Sequence, residues 1–429
     1  MRLPRLGLFR SKSAIAASAA ILLFAPTAAI ANAEPEPAPA PALPAELITA
    51  VARDLKLTPE EYLRRADLSQ QLAAFAATTQ RQYPEAFGGA WLNDAGQAVV
   101  AVAQGQGADE ARKAAQEAGF EVREVAKSEA ALRGEKSAFQ QWLETQPEAV
   151  AALIRGVAID TVNNSIAVRV EQAGLPMPAF VDPARVLVTA PPVAAEQLPE
   201  AAPIAGAIDQ TSLTGGSGFA AVAGRSSLRC SFGFNGVDGS GRTVNITAGH
   251  CNPALDQASP VHELVGDRLG NQLGAFQKSV LGSQDYSIVR IADQHRGRFE
   301  NSGVKSPGAP IVLTGVATPV VGAPVCKSGS RTGFSCGVVN AVDQTVQVGE
   351  RQLTQSFSAN ICALPGDSGG PLVTGTQALG IASASSVADY PICEIPNLIG
   401  LLTGDTPQLF AQPLEAVLSD NPGLRINTN

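Results

Sequence analysis

Histidine is scarce in this sequence of 429 residues: there are three, His250, His262 and His295, and none lies in the first half. Cysteine is missing from the same half, since Cys230, Cys251, Cys326, Cys336, Cys362 and Cys393 all come later. A first half without His or Cys holds no cluster that points to chemistry of its own. The second half has no Cys-x-x-Cys pair and few imidazoles, which argues against a zinc site. Charge is low, with 16% charged residues and a net charge of −8, so the basic patch of a nucleic-acid binder is not expected. No apolar run long enough to cross a bilayer persists beyond the first residues. What is present, 45% hydrophobic residues over a length fit for two or three domains, implies folded cores.

Residues 1–33 read as an export signal. Arg2, Arg5, Arg10 and Lys12 give a positive start, Ala14 to Ala25 an apolar middle, and Ala31-Asn32-Ala33 a small-x-small cleavage site. Without an adjacent Arg pair, general secretion is favoured, and the mature chain is expected outside the cell with no membrane span. An even number of cysteines in an exported chain reads as disulfides. Spacing alone does not choose among the pairings; pairing of sequence neighbours is the simplest.

Residues 34–45 are Pro-rich, an extended linker. Residues 46–171 alternate helical and strand patterns. Leu47, Val51 and Leu55 recur at helical spacing, and Thr58-Pro59-Glu60-Glu61 reads as a helix start. The runs at 87–92 and 98–102 flank a turn at Asp94-Ala95-Gly96 and read as a hairpin. Helices are expected at 109–118, 130–144 and 148–155, and strands at 120–125, 156–160 and 165–170. Residues 172–203 are rich in Pro and Ala and read as a linker open to cutting. Residues 34–203 hold most of the negative charge, and the remainder is also slightly acidic. Contact between the halves is therefore expected to rest on shape and apolar surface, not on charge attraction.

From residue 204 onward short β-branched runs alternate with Gly, Ser and Asn, the pattern of an all-β fold. A helix is expected only at 412–418. Three stretches stand out. Gly366-Asp367-Ser368-Gly369-Gly370-Pro371 places a serine on a tight, Gly-rich turn. Val244-Asn245-Ile246-Thr247-Ala248-Gly249-His250-Cys251 is a strand ending in a histidine, and Asp285-Tyr286-Ser287-Ile288-Val289-Arg290 opens on an aspartate. A serine hydrolase needs such a base and such a carboxylate. Together and in this order the three stretches resemble the signatures of chymotrypsin-like serine peptidases, in the bacterial branch of streptogrisins and α-lytic protease. Phe87-Gly88-Gly89-Ala90-Trp91 and its hairpin are similar to the pro-region of α-lytic protease.

The resemblance implies two antiparallel six-stranded β-barrels preceded by an α+β pro-domain, with the mature start near Ile204. It implies the pairings Cys230–Cys251, Cys326–Cys336 and Cys362–Cys393. It implies Ser368 as nucleophile, His250 as base and Asp285 as its orienting carboxylate, with the amides of Gly366 and Ser368 as the oxyanion hole. Asp293 is the nearest rival to Asp285, while His262 and His295, in polar contexts, read as solvated. Buried Asp367 needs a basic partner: Lys327 stands where the family usually has arginine, and Arg331 is the second candidate. Ala363, Leu364, Pro365, Ala382, Ser383, Ala384 and Ser385 match the segments that line the primary pocket and pair with substrate. The family usually reads Ser-Gly-Gly at the last three of these positions, so side chains stand here where substrate normally passes. No charge lies among the pocket residues, which favours a medium or large apolar side chain before the cleaved bond over Lys, Arg or Asp; Glu held by hydroxyls such as that of Ser385 is the lesser option. The expected protein is a secreted, monomeric serine endopeptidase made as a zymogen. It needs no cofactor, acts on polypeptides, and has its own pro-domain as folding assistant and inhibitor. A catalytically weak binding protein and an esterase are the alternatives.

Overall fold

The computed structural model describes residues 43–192, 196–197 and 211–429. The export signal, most of the Pro-rich linker and the expected start near residue 204 lie outside the described residues. Among those described, no helix is long and apolar enough to cross a membrane.

The amino-terminal region opens with helices α1 (Ala45–Asp54) and α2 (Pro59–Gln82). Thr58 caps α2 as its sequence indicates: its hydroxyl accepts from Glu61 N at 3.2 Å, and Pro59 occupies the first turn. Strands β1 (Phe87–Leu92) and β2 (Ala98–Ala103) form the expected hairpin, and β3 (Glu121–Val125) adds in parallel after helix α3 (Ala108–Glu117). Helix α4 (Glu129–Glu144) follows. The helix expected at 148–155 is a single turn, Glu148–Ala151, because Ile154 already starts strand β4 (Ile154–Asp160). Strand β5 (Ser165–Val170) pairs with β4, and β6 (Val186–Val188) runs parallel to β5. Part of the stretch read as linker is thus sheet.

The first barrel is built from β7 (Gly218–Ala223), β8 (Ser226–Ser231), β9 (Phe234–Val237), β10 (Thr243–Thr247), β11 (Pro260–Val265), β12 (Arg268–Leu281) and β13 (Asp285–Ile291). Its pairings are antiparallel in the order β9-β10-β13-β12-β11-β7-β8. The second uses β14 (Pro324–Gly329), β15 (Gly333–Val348), β16 (Arg351–Ala359), β17 (Pro371–Thr374), β18 (Gln377–Ser385) and β19 (Leu409–Pro413). Six strands in the order β14-β17-β18-β19-β16-β15 close through a β14–β15 pairing. Strand β15 then pairs with β4, so the amino-terminal β4-β5-β6 extends the second barrel's sheet.

Two helices interrupt the carboxyl-terminal part. Helix α6 (Leu414–Ser419) is the expected terminal helix, with Gln412 in the preceding strand. Helix α5 (Glu394–Thr403) corrects the expectation of a single helix. Its apolar run carries Pro396 and Gly400 and so lacks a helical signature, yet Gly404 ends it in the left-handed conformation at φ 81°.

Candidate active site

Strand register brings the histidine and the aspartate together. Thr247 pairs with Ser287, so the end of β10 lies beside the start of β13. His250 follows on the short turn Gly249–Cys251, and Asp285 is the first residue of β13. Asp285 Oδ2 lies 2.7 Å from His250 Nδ1, and Oδ1 accepts from His250 N at 2.9 Å. Ser383 Oγ donates to Oδ2 at 2.5 Å. Burial by itself pushes the Asp285 carboxyl up. The imidazole, the Ser383 hydroxyl and the His250 amide outweigh it and hold the group below its ordinary value. An acceptor on Nδ1 puts the ring proton there and leaves Nε2 with a lone pair. Nε2 is buried and has no hydrogen-bond partner among the described residues.

Ser368 lies on the turn between Cys362 and β17. Cys251 Sγ, next to His250, is 3.7 Å from the Ser368 carbonyl oxygen, and Ser231 N donates to that oxygen at 2.8 Å. A first-barrel strand thus holds the turn against the histidine. Gly369 is required here: its φ is +83°, and a Cβ would stand 1.9 Å from Thr247 Oγ1. Among the described residues the amides of Gly366 and Ser368 have no acceptor. These are the two donors an oxyanion hole uses.

Asp367 anchors this turn from below. Its carboxylate accepts from Leu364 N at 3.1 Å, Arg331 N at 3.0 Å, Thr332 N at 2.9 Å and Thr332 Oγ1 at 2.5 Å. Lys327 Nζ lies 3.3 Å from Oδ2, both side chains being fully buried, and also bonds Thr332 Oγ1. Of the two cationic candidates, Lys327 therefore supplies the charge, while Arg331 contributes only its backbone N–H. Lysine cannot fork around a carboxylate; the Thr332 hydroxyl and three amides make up the rest of the carboxylate's bonds.

The cavity among the residues expected to form the primary pocket is narrow. Ala363, Leu364, Pro365, Ala382, Ser383, Ala384 and Ser385 line it with Asp367, Ser368, Ala388 and Leu409, leaving about 10 Å³. That is room for about one water. Ala384 packs in a buried cluster with Val346, Val348 and Phe410. Ser383 is engaged by Asp285, and Ser385 Oγ accepts from Val387 N at 3.2 Å.

The three cysteine pairs are Cys230–Cys251, Cys326–Cys336 and Cys362–Cys393. Cys230, His250 and Cys251 offer atoms within 4.8 Å of one another, but the two sulfurs are bonded together, which removes them as thiolate donors. Asp293, the rival carboxylate, is in the turn Asp293–Arg298 and does not bond His250. His262 is half-buried on β11. His295 is buried, which corrects its reading as solvated: the turn packs its helical face inward although its sequence is polar. Gln412 was missed altogether. It is fully buried, and its Oε1 accepts from Asp285 N at 3.1 Å. A lone amide within the apolar run Leu409–Pro413 was the available signal.

The Trypsin family profile matches residues 235–403. The chain is 34% identical over 166 residues to serine protease 2 of Streptomyces fradiae, covering 37% of this chain and 87% of that protein. It is 29% identical over 347 residues to streptogrisin-C of Streptomyces griseus, covering 80% of this chain and 70% of that protein. To glutamyl endopeptidase 2 of the same organism it is 36% identical over 161 residues, covering 37% of this chain and 79% of that protein. Its match to streptogrisin-D of that organism spans only 39% of the relative. A crystal structure of Thermobifida fusca protease A is 28% identical and aligns over 51% of this chain and 100% of that one, with a TM-score of 0.40. With these motifs on this double barrel, and with serine protease 2 matched over nearly its whole length, the chain belongs to the trypsin family, as a chymotrypsin-like bacterial serine endopeptidase.

Proposed function

We propose that the chain is a secreted endopeptidase, made as a zymogen, that cleaves peptide bonds through an acyl-enzyme on Ser368. His250 Nε2 takes the Ser368 proton as Oγ attacks the carbonyl carbon, then delivers it to the leaving amine; water repeats the cycle to release the acid. Asp285 keeps the ring in the required tautomer and stabilises its charged form. The amides of Gly366 and Ser368 receive the oxyanion, each such donor typically adding about 3–4 kcal/mol to transition-state stabilisation. The observation that carries this reading is the buried Asp285–His250 pair with an unengaged Nε2 beside a turn whose Asp367 is fully bonded.

The side chain before the cleaved bond is a small apolar one, not the medium or large one that the uncharged pocket sequence suggested. A pocket walled by Ala363, Ala382 and Ala384, with about 10 Å³ free, supports that choice. A glutamyl preference, the lesser option, draws on the Ser385 hydroxyl and on the name of a relative, glutamyl endopeptidase 2. The pocket lining contains no His, Lys or Arg to hold a carboxylate, and the Ser383 hydroxyl is already donated to Asp285, which leaves the Ser385 hydroxyl as the remaining serine donor there. The narrowness of the pocket is also what favours the second reading, a binding protein with little activity.

In the same proposal residues 1–33 are removed on export, and residues 46–171 form a pro-domain that assists folding of residues 204–429 and inhibits them until the segment 172–203 is cut. Fluorophosphonate labelling of the secreted protein, with intact mass, tests both parts. Labelling of a fragment beginning near residue 204, absent from the Ser368→Ala variant, is expected. A correctly processed fragment that takes up no label would move the assignment to the binding protein.

A further inference from the structure

Helix α5 is bare on its outer face. Ile392, Ile395, Leu398, Ile399, Leu401 and Leu402 are all exposed, with Leu401 at 82% and Leu402 at 77%. These six are half of the large exposed apolar side chains among the described residues, gathered in one short segment. A concentration of this kind marks a binding surface, since isolated exposed apolar residues are common and clusters are not.

The helix is tied to the substrate pocket. The Cys362–Cys393 disulfide joins its first turn to the pocket wall that begins at Cys362. Val387, Tyr390 and Cys393 pack with Cys362 and Leu364 in one cluster. The direction of a bound chain leads there as well. A substrate strand laid antiparallel along Ser383–Ser385 carries its amino-terminal side past Ser385 toward residues 386–393 and the helix. Beside the helix runs a groove of about 760 Å³, bordered by Pro396, Ile399 and Thr403 on one side and by Val186 and Leu187 of β6 on the other.

Charge narrows the occupant. No Lys or Arg occurs between Arg351 and Arg425, whereas Asp389, Glu394 and Asp405 flank the helix. Helices that lie on anionic membranes carry cations on their polar face, and α5 has none. We propose that α5 is a second substrate-binding surface, which grips an extended apolar segment of the polypeptide upstream of the residues that pair with Ser383–Ser385. The segment is neutral or cationic. This inference rests on the endopeptidase reading, and its test is arranged so that the two fail separately.

The test uses secreted protein obtained from the full-length chain and a Leu398→Ser/Leu401→Ser/Leu402→Ser variant. A short fluorogenic peptide is compared with the same peptide extended upstream by a Leu- and Phe-rich block, a Ser- and Gly-rich block or an acidic block. Only the apolar extension is expected to raise kcat/KM, by about tenfold and through KM, with the gain lost in the variant while the short peptide is cleaved equally by both. Anisotropy with the labelled peptides on the processed protein, its Ser368 blocked with fluorophosphonate wherever it takes up the label, reports the same preference without turnover. If the short peptide is not cleaved, the endopeptidase reading fails, and the binding preference still decides the role of α5. Equal binding of apolar and Ser-Gly extensions would overturn the proposal. So would variant-sensitive binding to phosphatidylcholine vesicles, or a variant-sensitive dimer in sedimentation, without any peptide preference.

Discussion

Two of the places where the amino-terminal region meets the second barrel are built in opposite ways. At the helical junction, Leu47, Ala50 and Val51 of α1 and Tyr62 of α2 are buried in one cluster with Phe334 and the Cys326–Cys336 disulfide. Tyr62 is fully buried; its hydroxyl accepts from Gly375 N at 3.0 Å and meets Cys326 Sγ at 3.7 Å. Burial pushes that phenol strongly up, so it stays neutral. Asp54 accepts from Cys336 N at 2.8 Å. At the sheet junction β4 pairs with Thr345 and Val346 of β15, and ions do the tying. Asp343 bonds Arg133 and lies 3.5 Å from Lys136 Nζ, and Arg169 sits over the Phe410 ring at 5.3 Å. The expectation of contact without charge attraction therefore holds for one junction and not the other: net charge says nothing about local pairs. The helical junction also grips the hairpin that delivers Lys327 and Thr332 to Asp367, so it bears on the turn that carries Ser368.

The contrast can be broken first at the helical end. In the Ser368→Ala background, which keeps the chain whole, Tyr62→Ala is expected to cost about 3–5 kcal/mol in urea unfolding, as for other large buried aromatics. Tyr62→Phe leaves the buried Gly375 N–H unpaired and is expected to cost about 1–3 kcal/mol. A loss below 1 kcal/mol for the alanine variant would mean that the helical junction contributes little.

Asp343→Asn sharpens the other side. Asp343 has φ 48°, a conformation that Asn tolerates, so the change removes charge without backbone strain. Because Arg133 is half exposed, the expected cost is only about 1 kcal/mol. It should shrink as sodium chloride approaches about 1 M, where screening reaches within a few ångströms. The Tyr62 variants should show no such salt dependence; a shared one would erase the distinction.

The smallest effect concerns pH. Burial lowers the Lys136 ammonium below its ordinary value near 10.5, and the attraction of Asp343 does not fully offset it. The folded value being the lower, the unfolded chain binds more protons between the two. The penalty is present at neutral pH and is relieved as pH rises through the folded value toward 10.5. Lys136→Met should flatten the rise of stability with pH in that alkaline window. An unchanged slope would assign the rise to another group.

Much of the site was legible because its signals are local. A β-branched strand ending in Ala248-Gly249-His250, an aspartate opening an alternating strand and a serine between glycines each carry their geometry within a few residues. Thr58 and the Asp94-Ala95-Gly96 turn announced their helix and hairpin for the same reason. Helix α5 did not, since Pro396 and Gly400 in an apolar run resemble loop or strand, and its cap at Gly404 acts only once the chain has turned. The buried state of His295 was equally hidden in a polar stretch.

By itself, then, the sequence determined which groups are available for chemistry, their order along the chain and the short elements that present them, because turn, cap and strand preferences depend on near neighbours. Tertiary structure alone decided which partners those groups meet: Lys327 for Asp367, Gln412 for the Asp285 amide, β4 for the edge of β15, and water for the leucines of α5. Each of these depends on residues far apart in the chain, and on burial that exists only after the barrels close.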